Sequence, residues 1–79
     1  MVTKKVRFNS VDDVKNFCNA AGHCEFNMDL ASGRYLVDAK SLMGILSLSL
    51  DKSVNLQIQV DTEDECAKFL QNIDFCLCK

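Results

Sequence analysis

The chain has 79 residues, with nine Lys and Arg against eleven Asp and Glu, for a formal net charge of −2. A composition of 48% hydrophobic and 25% charged residues is that of a soluble globular fold, with room for one domain over residues 1–79. The acidic balance argues against nucleic acid as a partner, and no apolar run reaches the roughly 18 residues of a membrane span.

Met1 to Arg7 has charges with no apolar block behind them, which argues against a secretory signal and predicts a cytoplasmic protein. Five cysteines cannot all pair within one monomer, so reduced thiols are expected. Cys18, Cys24 and Cys66 stand among apolar residues, where a thiol behaves as a small hydrophobe. Cys76 and Cys78 are the one close pair, and two ligands fall short of the four of a structural zinc site. No metal or other cofactor is expected. The pair sits in a tail that is expected to pack loosely, so its two thiols should react first.

In chain order, Lys4 to Phe8 predicts a strand with Val6 and Phe8 inward and Lys5 and Arg7 outward. Ser10-Val11-Asp12-Asp13 reads as a helix start with Ser10 as N-cap. Val11, Val14, Phe17, Cys18 and Ala21 then form an apolar stripe, and Gly22 reads as the residue just past the helix end. Cys24, Phe26, Met28 and Leu30 alternate with polar residues as a half-buried strand. Ala31-Ser32-Gly33 reads as a hairpin turn, and Arg34 to Asp38 as the returning strand with Tyr35 and Val37 on one face.

Lys40 to Leu48 predicts a short helix with Ser41, Gly44 and Ser47 three apart, and Asp51-Lys52-Ser53 predicts a turn. Val54, Leu56, Ile58 and Val60 alternate with Asn55, Gln57 and Gln59 as the clearest strand. Thr62-Glu63-Asp64-Glu65 is a capping box opening a helix that carries Cys66, Phe69, Leu70 and Ile73. The order is β-α-β-β-α-β-α. It predicts an α+β fold, one sheet with helices on one face and a wet outer face, in a split βαβ arrangement.

The string Val37-Asp38-Ala39-Lys40-Ser41-Leu42-Met43-Gly44-Ile45-Leu46-Ser47-Leu48 resembles the regulatory-serine segment of HPr, the histidine phosphocarrier of the bacterial sugar phosphotransferase system. The element order is similar to that family over nearly the whole chain. The resemblance implies an open-faced β-sandwich, a four-stranded antiparallel sheet with three helices on one face. The family places its phosphocarrier histidine at the first helix N-terminus, in a Gly-x-His-Ala-Arg-Pro-type stretch, where free N–H groups and the dipole favour a phosphorylated imidazole. Here that place holds Asn9-Ser10-Val11-Asp12-Asp13, and the one histidine, His23, follows the helix.

The resemblance therefore implies a non-catalytic HPr-like regulatory or protein-binding domain. The alternative is a phosphocarrier with a nonstandard acceptor. Ser41 corresponds to the family's regulatory phosphorylation serine, where a dianion would meet the positive end of a helix dipole. Read from the residues alone, it is an N-cap. Leu42, Met43 and Leu46 correspond to the partner-docking helix; as a docking patch they are expected to be partly exposed, with Ile45 and Leu48 inward, and read from the residues alone they are equally core. The partners implied are proteins, an HPr-type serine kinase or a regulatory or transport protein. Ser10, Asp12 and Asp13 are expected to cap and solvate their helix rather than react.

Overall fold

The computed structural model describes residues 1–48 and 52–78. Strand β1 spans Val2–Val6. It lies earlier than the sequence suggests, because its ladder with the fourth strand runs from Val2 opposite Ile58 to Val6 opposite Val54. Phe8 lies past the strand end but is still buried. Helix α1 spans Val11–Gly22. Ser10 caps it in extended conformation, its Oγ accepting from the Asp13 N–H at 3.2 Å. Val14, Phe17 and Ala21 are the buried stripe, whereas Val11 points outward. Gly22 is still helical and does not take a left-handed conformation. The helix ends at His23, whose N–H donates to the carbonyls of Ala20 and Ala21.

Cys24 N–H donates to Ala21 O at 3.1 Å, a continuation of the helical turn, so this residue cannot begin the next strand. Strand β2 is Met28–Ser32, starting where Met28 faces Ile58. The hairpin turn is Gly33-Arg34, two residues on from where the sequence suggests it starts, since Ser32 still pairs with Tyr35. Gly33 takes φ 60°, a conformation that suits glycine at the first position of a two-residue hairpin. Strand β3 is Tyr35–Asp38 and helix α2 is Leu42–Leu46. Asp51, placed in a turn by sequence, lies outside the described residues.

Strand β4, Val54–Ile58, buries Val54, Leu56 and Ile58. Val60 falls past its end and is half-buried. The sheet is antiparallel in the order β1-β4-β2-β3. Thr3, Lys5, Asp29, Asn55 and Gln57 lie on its outer face. The Glu65 carboxylate accepts from Asp61 N–H at 2.8 Å and Thr62 N–H at 3.5 Å, the return half of a capping box. The chain first takes a 3-10 turn, Glu63–Cys66, and then helix α3, Ala67–Asn72.

The tail does not fray. After a 3-10 turn at Asp74–Cys76, Leu77 bridges Val6, Arg7 N–H donates to Cys76 O at 2.8 Å, and Cys78 N–H donates to Lys5 O at 2.9 Å. The C-terminal segment thus covers the end of β1 and buries Cys76.

Phe17 is the hub between the sheet and the helices. Its ring meets Phe8 edge-on at 5.2 Å and Phe69 at 6.1 Å, and Phe69 meets Phe26 in turn. Phe17→Ala should therefore lose about 3–5 kcal/mol in urea unfolding. Lys4 and Glu63 form an ion pair with both side chains partly exposed. Lys4→Ala should change stability by less than about 1 kcal/mol.

Candidate functional site

The start of α1 is one place where an anion could be held. There the Asp13 carboxylate already accepts the Asn9 N–H at 3.0 Å, while its own N–H is used by Ser10. Asp12 and Asp13 both lie in the first turn. An incoming phosphate would meet two carboxylates, and the Asn9 and Asp13 N–H groups are already engaged. Val11, 49% exposed, stands at this end, and Phe75 is exposed on the 3-10 turn that packs against α1. Nothing in the residues around Phe75 marks its position, because that turn is fixed by pairing with β1.

His23 lies at the other end of α1. A helix of this length spans about 18 Å at roughly 1.5 Å per residue, so His23 is far from Ser10. Its Nδ1 lies 2.7 Å from Asn19 O, and a carbonyl can only accept, so Nδ1 carries the proton. The ring closes the helix end.

The second place is the corner between β3 and α2. Asp38 Oδ1 accepts Lys40 N–H at 2.9 Å, and Asp38 O accepts Ser41 N–H at 3.0 Å, a turn that sets the helix entry. Ser41 is half-buried and extended, with its Oγ accepting Gly44 N–H at 3.2 Å. Lys40 Nζ is tied to Cys24 O at 2.9 Å, which fixes the corner to the end of α1. A methyl on Gly44 would come within 3.2 Å of Ser41 Oγ and 3.4 Å of Val37 Cβ. Glycine there lets α2 lie close on β3 and keep its cap.

Helix α2 is shorter than the sequence suggests, five residues inside the expected Lys40 to Leu48. Ile45 and Leu48 are buried and anchor it. Met43 is 77% exposed and Leu46 is 37% exposed. Leu42 is half-buried and packs against the core, so it shares the patch only in part. The structure thus puts Ser41, Met43 and Leu46 at one surface, with Leu42 at its inner margin.

All five cysteines are free thiols, and among the described residues no three His, Cys, Asp or Glu side chains gather as a metal site. Burial pushes the thiols of Cys18, Cys24 and Cys66 up, with Asp38 adding to the effect at Cys18. Cys76 is raised furthest, to about 12, by burial and then by Asp13. This corrects the expectation that Cys76 reacts early, since a thiol held protonated and buried is a poor nucleophile. Only Cys78 of the pair is exposed.

The unfolded chain releases thiol protons near 9.0, whereas folded Cys76 holds its proton to about 12. Between these values the unfolded state binds fewer protons, so this stabilisation is complete below about 9 and is lost as pH rises. Thermal melts should show Tm falling above about pH 9, with a shallower fall in Cys76→Ala. A thiol reagent should label Cys78 first and Cys76 only on unfolding.

No described helix is long and apolar enough to cross a membrane. No curated protein matches the chain. The family model described as the PTS HPr component phosphorylation site matches residues 13–74, from the first turn of α1 through α3 to the final 3-10 turn. The four-stranded antiparallel sheet and three helices agree with that family's open-faced fold. On this match over most of its length, the chain belongs to the HPr family of the phosphotransferase system.

Proposed function

We propose that this HPr-family chain is a cytoplasmic bacterial protein, a single domain that works by binding. It docks a protein partner through α2, is controlled by phosphorylation of Ser41, and carries no phosphohistidine of its own. The observation that supports this most is Met43. A five-residue helix held down by Ile45 and Leu48 leaves its methionine 77% exposed beside Leu46. An unbranched, polarizable side chain adapts to different partner surfaces. Ser41 stands next to it, so a phosphate there would add close to two negative charges at the patch edge and change partner affinity. A helix this short has little dipole, so the phosphate acts chiefly on the partner and not on the fold.

The start of α1 supports the other half of the proposal. It holds Asn9-Ser10-Val11-Asp12-Asp13 at the helix start, the place where the resemblance puts the family's phosphocarrier histidine, and it has no histidine or arginine there.

An HPr-type serine kinase with ATP tests this reading. The expected result is one phosphate per chain, mapped to Ser41 by mass spectrometry and absent from Ser41→Ala. Met43→Ala and Leu46→Ala should raise the kinase KM several-fold with Tm nearly unchanged. Leu42→Ala should cost less than the roughly 2–5 kcal/mol of a fully buried leucine. Ser41→Asp should block phosphorylation yet keep stability, because Asp also caps. An unmodified wild-type chain, or Met43 and Leu46 variants phosphorylated with unchanged KM, would contradict the proposal.

A further inference from the structure

The two edges of the sheet are treated differently. At β1, the segment Cys76 to Cys78 covers the strand end with its own hydrogen bonds. At β3 the sheet order ends without a neighbour among the described residues. That strand carries two adjacent apolar residues in the open, Tyr35 at 72% and Leu36 at 61% exposure. An open apolar edge is a template for another strand.

The ladder shows which backbone groups face the edge. Ala39 N–H donates to Met28 O at 3.0 Å, one step beyond the pairs Leu30 with Val37 and Ser32 with Tyr35. Bonded positions alternate in an antiparallel pair, so Tyr35 and Val37 bond to β2. Leu36 and Asp38 turn their N–H groups to the open side.

We propose that β3 pairs antiparallel with β3 of a second copy of this chain, about a two-fold axis at Leu36. The sequence Arg34-Tyr35-Leu36-Val37-Asp38 is self-complementary in that register. Leu36 meets Leu36 and exchanges both backbone bonds with it. Tyr35 meets Val37, a favourable aromatic and β-branched cross-strand pair. Arg34 meets Asp38, whose Oδ1 is held by Lys40 N–H while Oδ2 is the oxygen that can receive the guanidinium. A shift of two residues keeps the hydrogen-bond parity but puts Leu36 opposite Asp38 or Arg34. Charge and hydropathy therefore select one register. Because a two-fold contact uses β3 of both copies, the pairing closes at two copies instead of growing into a fibre. This goes beyond the reading of α2 and does not involve Ser41.

Sedimentation equilibrium of the full chain from micromolar to millimolar concentration tests it. The mass should rise from one chain to two. Arg34→Asp puts like charges opposite each other and should weaken the dimer by about tenfold or more. Leu36→Lys, which sets two lysines face to face, should abolish it. Arg34→Asp mixed with Asp38→Arg should restore the dimer that each variant alone has weakened, circular dichroism confirming that both are folded. Met43→Ala should leave it unchanged. In amide spectra, Leu36 and Asp38 should shift with concentration, and Tyr35 and Val37 much less. One-chain mass up to millimolar concentration would overturn the proposal. So would an undiminished dimer in Arg34→Asp and Leu36→Lys, or one lost in Met43→Ala.

Discussion

Val54, Leu56 and Ile58 face the helices from a strand whose two neighbours lie far away in sequence, β1 at residues 2–6 and β2 at residues 28–32. The ladder joins three separate stretches into the surface on which the helices pack. It makes the inner face continuous from Val6 and Val54 through Leu56 and Leu30 to Ile58 and Met28. Phe17, Ile45, Phe69 and Ile73 are all fully or nearly fully buried in the same core. Burial of apolar side chains at about 25 cal/mol per Å² is the main stabilising term in so small a chain. It is also what fixes α2. Ile45 and Leu48 belong to that core, and so Met43 faces away from it.

Much of this was legible because it is local. The period of two in β4, the serine cap of α1 and the acidic box before α3 are written in neighbouring residues, and each appears in the structure. The cap at Ser41 and the split between Met43 outside and Ile45 inside follow from helical spacing. What failed depended on distant partners. Cys24 to Asn27 alternates like a strand, but Cys24 belongs to the last turn of α1 and the β2–β4 ladder begins at Met28. The hairpin slipped because register with β4 carries β2 through Ala31. Val11 has the spacing of a core residue but lies exposed in the first turn of the helix. The tail reads as loose because nothing in its own residues announces that Leu77 will bridge Val6.

The two helix starts are built alike and differ in what surrounds them. Each has a serine whose oxygen takes the N–H three residues on. At Ser10 the neighbours are two aspartates, one of which also reaches back to Asn9. At Ser41 the neighbours are a leucine and an exposed methionine. The first arrangement repels an anion and engages the Asn9 and Asp13 N–H groups. The second puts a modifiable hydroxyl beside an apolar surface. The proposed function rests on this contrast: it puts the phosphate chemistry of this HPr-family chain at the second corner, as a signal and not as cargo.

The most direct measurement is phosphate transfer from phosphoenolpyruvate through the first enzyme of the phosphotransferase system. A histidine-bearing HPr serves as the control in the same reaction. The control should gain one phosphate while this chain keeps its unmodified mass. Stoichiometric, acid-labile and base-stable phosphate on this chain would contradict the assignment, because it would place a phosphohistidine at His23 and restore the role of carrier.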